Sequence, residues 1–391
     1  VVAASAPIIA GLLGRRFAWL ILPVVVVELF FGVLIGPEVL ELAHVDPVLS
    51  AFNQLGLAFL IFFAGYEISY DRIKGQPLKL AVIGWLFSLA LAYSLAGGLE
   101  ALGVVVSGLL TGSALATTAL GTLVPVLADE NKLGGRFGTN VLAIGAVGEF
   151  GPVLIVTLLL GATSSAGEQV ALLVLFAVIA VLTGLIATGT VGRWFSFINE
   201  RMDTSGQLPV RLTVLMLFAL VVIAGDLGMD VILGAFAAGL ILGMIIGDRE
   251  ARELESKLEA VGYGFLIPFF FIVSGMNLDV TALFSSAKDF LKLPLFFVLM
   301  LIVRGLPVWV LHRRHVPPKD LTPLALLAST QLPLVVAITS IGLDNGNMRP
   351  STAAALVGAA ALTVLIFPAL ALALMRKREL PQSHAAKPQT V

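Results

Sequence analysis

The chain has 391 residues, of which 58% are hydrophobic and 13% charged, with a net charge of −1 and a mean hydropathy of +1.02. A soluble domain is about half apolar and about a quarter charged, so a soluble globular fold is excluded and an all-α polytopic membrane protein is expected. The absence of cysteine excludes disulfides, thiolate metal centres and cysteine nucleophiles, and the near-neutral balance offers no basic surface for nucleic acid.

A membrane helix needs about 20 apolar residues, and the chain holds about thirteen such runs. The first, 1–14, is short because the chain opens on Val1, which reads as a start inside a longer gene product. The second, 19–36, carries Glu28 within VVVVELFFGVLIGP, where an acid is expected to bond a neighbouring helix. The third, 48–69, closes on FFAGYEIS and puts Glu67 near a membrane face. The fourth is 77–98. The fifth, 103–127, is interrupted by Thr117, Thr118 and Gly121, where a smooth membrane helix would carry Leu or Val. After the polar turn Asp129 to Gly135, the sixth run, 136–161, carries Glu149, with no other charge within ten residues in sequence. A carboxylate at that depth costs about 2.5–3.5 kcal/mol on insertion scales unless it faces protein or water, so Glu149 is the leading functional candidate.

The seventh run, 169–192, precedes the longest polar connection, Gly192 to Gln207. The eighth, ninth and tenth are 208–226, 229–247 and 258–276. The eleventh, 287–311, holds Arg304 in LFFVLMLIVRGLPVWVL, a permanent cation that needs a partner or a water-filled cavity. The twelfth, 321–343, is interrupted by Ser329, Thr330, Gln331 and Pro333, and a mid-helix proline removes one hydrogen bond and crowds the preceding turn. The thirteenth is 352–375, and the polar tail 379–391 is expected to be disordered and cytoplasmic.

Loop charges orient these runs. With the N-terminus outside, Lys288, Lys292 and Arg349 alone fall on outer segments, Arg304 lies within a span, and the rest of the 24 Lys and Arg fall on the cytoplasmic side, as the positive-inside rule requires. The expected location is therefore the cell's inner (plasma) membrane, multi-pass, with the C-terminus cytoplasmic. Six runs precede the seventh and six follow it, so residues 1–378 read as one transmembrane domain. Within it, two inverted repeats, about 1–161 and 208–376, are joined by a linker helix at 169–192. The interruptions at Gly121 and at Gln331–Pro333 fall at matching places in the two halves, the strongest sequence pointer to a transporter binding site.

The chemistry follows from one buried acid. A lone carboxylate shielded from water can hold a proton or a desolvated monovalent cation, but not both together. Thr117, Thr118 and the freed carbonyls of an unwound helix supply the oxygen ligands that alkali cations prefer. Exclusive occupancy combined with alternating access gives exchange of sodium or potassium for protons. Neither a cofactor nor an enzymatic nucleophile–His arrangement is indicated.

Four stretches, VVVELFFGVLIGP, LGLAFLIFFAGYEIS, the fifth-to-sixth pair and IPFFFIVSGMNLDV, together resemble the cation:proton antiporters, the bacterial sodium/proton and potassium-efflux type exchangers. The resemblance implies a core domain, a homodimerisation domain and a crossing of the broken fifth and twelfth helices. It also implies ion or proton binding by the second acid of a paired Asp-Asp or Asn-Asp motif. Here that pair is Gly148-Glu149, with the first acid missing, which points to an electroneutral cycle. The resemblance assigns Arg304 to the family's basic position, Thr117 and Thr118 to the helix break, and Glu67 to a contributing carboxylate. Two alternatives stand beside this reading: movement of another solute, such as an organic anion drawn by Arg304, and a non-transporting subunit or sensor.

Overall fold

Every apolar run that falls on described residues forms helix, because an isolated segment in hydrocarbon must satisfy its own backbone polar groups. The computed structural model describes residues 5, 8–9, 23–68, 70–130, 132–160, 174, 178, 207–227, 231–245 and 251–379. Among them there is no strand. Eight helices are long and apolar enough to cross a membrane, and the shorter Val24–Ile35, Gly108–Val124 and Ile232–Met244 fall on three further expected spans. The expected first span, the linker helix 169–192 and the tail from 380 lie outside the described residues, apart from the isolated positions named above.

In chain order the principal helices are α1 (Val24–Ile35), α2 (Pro47–Tyr66), α3 (Gln76–Ala101), α4 (Gly108–Leu115), α5 (Leu120–Asp129) and α6 (Gly135–Leu160). The second half holds α7 (Leu208–Asp226), α8 (Val231–Ile245), α9 (Ala251–Val261), α10 (Ile267–Met276), α11 (Ala287–Met300), α12 (Leu306–His312), α13 (Pro318–Ala328), α14 (Pro333–Asp344) and α15 (Pro350–Glu379). Large side chains such as Phe30, Leu86, Phe87, Leu109 and Val298 point outward, as lipid-facing residues do.

The packing is reciprocal between the halves. Helix α1 packs on α10, and α8 packs on α2. Both contacts are made at glycines. A Cβ on Gly275 would lie 2.2 Å from the Leu29 carbonyl, and one on Gly239 would lie 1.9 Å from the Phe62 carbonyl. Small residues let the backbones touch, which substitutes for the hydrophobic drive that lipid cannot give.

Two π-helical turns interrupt long spans, Gly262–Leu266 between α9 and α10 and Leu301–Gly305 between α11 and α12. Each is followed two residues on by a proline, Pro268 and Pro307. Proline lacks the N–H for the i→i−4 bond and pushes the preceding carbonyl aside, and the chain absorbs this as a π turn. The expected tenth span, 258–276, extends further than its apolar run: α9 begins at Ala251. Its ARELESKLEA sequence is rich in helix formers, buries Leu254 and Leu258 one turn apart and pairs Lys257 with Glu253 at 2.8 Å.

Gly239→Ala is expected to lower folding stability by about 1–3 kcal/mol through overpacking. Gly264→Ala is the control, because a Cβ there meets nothing within 4 Å. Thermal melts in detergent check the pair, and equal melting of both variants contradicts the close approach.

Candidate functional site

The breaks expected in the fifth and twelfth spans are present. Helix α4 ends at Leu115 and α5 starts at Leu120; α13 ends at Ala328 and α14 starts at Pro333. The intervening segments touch, with the Ala119 N–H donating to the Thr330 carbonyl at 2.8 Å and the Thr118 N–H to the Gly148 carbonyl at 3.0 Å. Ending four half-helices in a dry interior strands backbone groups that need partners. Side chains supply them. Gln331 Nε2 donates to the Leu115 carbonyl at 2.9 Å, and Trp85 Nε1 to the Ala116 carbonyl at 3.1 Å. The Thr118 hydroxyl donates to the Ala328 carbonyl at 2.8 Å. Thr363 accepts from the Gln331 N–H at 2.9 Å. Thr117 Oγ1 donates to the Ala114 carbonyl at 2.9 Å and lies 3.3 Å from Gln331 Oε1. Pro333 starts α14 near its N-terminus, where a missing N–H costs nothing.

Arg304 sits on the π turn between α11 and α12 and is 1% exposed. Its Nε and one terminal nitrogen donate to Thr118 Oγ1 at 2.9 and 2.6 Å. The second contact of that nitrogen is the Ile144 carbonyl at 3.3 Å, and the other nitrogen reaches Ser88 at 3.3 Å. Among the described residues Arg304 makes no ion pair with Glu149. Its charge instead lies one hydroxyl away from the C-terminal carbonyl of α13, the negative end of a helix dipole. Gly148 explains the missing first acid. A Cβ there would stand 2.6 Å from a guanidinium nitrogen of Arg304 and 2.6 Å from Thr118 Oγ1. The space of a side chain at 148 is already filled by the arginine.

Glu149, on α6, is 3% exposed. Its Oε1 accepts from the Leu120 N–H at 2.8 Å, with the Gly121 N–H at 3.5 Å. The carboxylate thus caps the N-terminus of α5, where the half-helix dipole favours negative charge. Among the described residues its Oε2 is buried with no hydrogen-bond partner. A cavity of about 370 Å³ opens beside it, lined by Glu149, Gly121, Thr122, Tyr263 and Pro333 among others.

Gly121 is the meeting point. A Cβ there would lie 3.5 Å from the Tyr263 hydroxyl and 3.6 and 3.7 Å from the two oxygens of Glu67. Glu67 is the residue that closes α2, and among the described residues its Oε2 is also buried without a partner. Tyr263 is held by its ring, stacked on Phe63 with centroids 5.0 Å apart. The structure therefore brings Glu149, Glu67 and Gly121 together. It places Thr117, Thr118, Gln331 and Arg304 in the crossing itself, with their polar groups engaged and outside the cavity lining. Sequence reading missed Tyr263, Thr122 and Ser88. Tyr263 had one signal, a tyrosine between two glycines in an apolar run. Among the described residues no cluster of three or more metal-ligating side chains occurs.

The transmembrane sodium/hydrogen exchanger model matches residues 2–376. A putative Na+/H+ antiporter YjbQ of Bacillus subtilis is 27% identical over 92% of this chain, which spans 60% of that protein's length. The Na+/H+-K+ antiporter GerN of Bacillus cereus is 27% identical over 72% of each chain. The solved sodium proton antiporter MjNhaP1 from Methanocaldococcus jannaschii at pH 8 shares the fold, with a TM-score of 0.67 and 17% identity over 96% of this chain and 95% of that one.

Gly148→Ala is expected to cost about 1–3 kcal/mol of stability by displacing the guanidinium. In an Arg304→Gln background the same change costs less, giving a coupling energy of about 0.5–3 kcal/mol. Additive effects in a double-mutant cycle of thermal melts contradict the shared space.

Proposed function

Because the chain belongs to the sodium/hydrogen exchanger family, we propose that it exchanges sodium or potassium for protons through one carboxylate, Glu149. The single observation carrying this reading is the division of labour within that carboxylate. One oxygen is tied to the backbone of α5, and among the described residues the other is buried and unpartnered, on a side chain that lines a cavity. The tied oxygen fixes orientation. The free oxygen takes a proton or an alkali cation in turn. Glu67 and the Tyr263 hydroxyl, which face Gly121 from other helices, complete an oxygen cage suited to a hard cation. Thr117 and Thr118 act by holding the crossing, with Arg304 as its fixed cation.

One acid on α6 favours an electroneutral cycle, since Arg304 occupies the place of a second titrating group at 148. The same reading includes a homodimer in the plasma membrane, the N-terminus outside, and two inverted repeats, 1–161 and 208–376, related through the linker at 169–192. The reciprocal α1–α10 and α2–α8 contacts support the repeats. Recruitment of an organic anion by Arg304 is disfavoured, because the guanidinium is engaged in the crossing and does not line the cavity.

In proteoliposomes, Glu149→Gln is expected to bring sodium- and potassium-driven dissipation of a pH gradient to background; wild-type rates in that variant would falsify the proposal. In the native chain, apparent KM for the cation rises as pH falls, approaching tenfold per unit once the proton dominates the site, while Vmax holds, because one site hosts both ions by mass action. A pH-independent KM with falling Vmax contradicts competition. Tyr263→Phe removes one neutral ligand, worth about 1 kcal/mol, and is expected to raise KM about fivefold with little change in Vmax. An unchanged KM takes Tyr263 out of the cage.

A further inference from the structure

A second cavity, of about 640 Å³, lies at the other end of α6, between the starts of α3 and α6 and the end of α12. The positive-inside reading assigns that end to the cytoplasm. Its lining includes Gln76, Gly135, Arg136, Asn140, Arg314 and His315, with no acidic residue. Three observations make it more than a solvated basic face. First, among the described residues the side chains of Arg136 and Arg314 have no hydrogen-bond or ion-pair partner, although both line one concavity. Second, two 26-residue helices begin in it, at Gln76 and Gly135. The first turn of α3 has no side-chain cap; Pro77 lacks an N–H and the Lys79 N–H is taken by the Gly75 carbonyl at 3.1 Å, which leaves the N–H groups of Gln76 and Leu78 to an anion. Third, Asn140 is 8% exposed and lines the cavity. Its Nδ2 is fixed on the Arg136 carbonyl at 2.7 Å, and among the described residues its Oδ1 has no hydrogen-bond partner.

We propose that this cavity binds a phosphate group that carries a neighbouring hydrogen-bond donor. The phosphate lies against Arg136, Arg314 and the α3 and α6 N-termini, and the donor lies on Asn140 Oδ1. The headgroup of an anionic lipid such as phosphatidylglycerol and a soluble phosphate ester share this chemistry. The site is independent of the ion pathway, since none of its residues lines the first cavity. Both sites nevertheless sit on α6. Asn140 lies nine positions before Glu149, about 13.5 Å along the helix, so an occupant can bias the rigid element that carries the acid.

The test uses the purified full chain in a neutral detergent, with thermal unfolding followed against dioctanoyl-phosphatidylglycerol, glycerol phosphate and inorganic phosphate at constant ionic strength. Each arginine contact near a membrane surface is worth about fivefold in affinity. Arg136→Gln/Arg314→Gln is therefore expected to weaken binding about 25-fold, and Arg314→Gln alone about fivefold should the double variant not fold. Saturable stabilisation by the lipid but not by glycerol phosphate identifies a headgroup site; stabilisation by glycerol phosphate identifies a soluble ester. Weaker binding of inorganic phosphate than of either donor-bearing probe supports the Asn140 contact, and equal binding removes the donor from the proposal. No saturable shift with any probe, or an undiminished shift in the arginine variants, overturns it.

Discussion

The structure depends on ending helices inside a dry interior. Two membrane helices break at Ala116–Ala119 and Ser329–Leu332, and backbone groups stranded there cannot turn to water. Each unsatisfied group would cost about 1–3 kcal/mol. The Thr117–Thr118 pair, Gln331, Thr363 and Trp85 remove much of that cost by direct hydrogen bonds. What remains is electrostatic: half-helices present partial charges at their ends. Arg304 answers the negative end of α13 through Thr118, and Glu149 answers the positive end of α5.

That arrangement separates two buried charges that could have neutralised each other. An Arg304–Glu149 pair would hold the carboxylate permanently ionised and engaged. Instead the arginine donates to the Thr118 and Ser88 hydroxyls and the Ile144 carbonyl, and Gly148 leaves the room it needs. Glu149 ties one oxygen to the backbone and, among the described residues, leaves the other buried without a partner, on a side chain that lines the cavity. Glu67 and Tyr263 reach the same point from helices that do not belong to the crossing, so on the proposed exchange an ion there would touch groups from both. On that proposal, relative movement of those helices would change the ligand set and so link binding to exposure at one face or the other.

Much of this was legible in the sequence. Membrane class, the run pattern, both breaks and the isolation of Glu149 and Arg304 follow from hydropathy and from the cost of placing polar groups in lipid. The crossing partners were not legible in that way. Thr117 and Thr118 looked like ion ligands because hydroxyls at a break are chemically suited to cations; their actual partners, Ala114, Gln331, Ala328 and Arg304, are fixed by tertiary geometry that no spacing encodes. Gly148 read as an empty position, yet its emptiness is the room for a side chain 156 residues away in sequence. Tyr263 was missed because an aromatic in an apolar run is ordinary, and its proximity to Gly121 depends on the π turn before Pro268. The polar start of α9 was missed because the apolar run begins later than the helix.

On the proposed exchange, the free oxygen of Glu149 hosts a proton and an alkali cation in alternation. The most direct measurement is proton release on cation addition to the purified protein in weakly buffered detergent solution, read by a pH indicator at matched ionic strength. A saturable release approaching one proton per chain is expected on adding sodium or potassium, none with a large organic cation such as choline, and none in Glu149→Gln. Saturable cation binding without proton release, or release that survives Glu149→Gln, would contradict it.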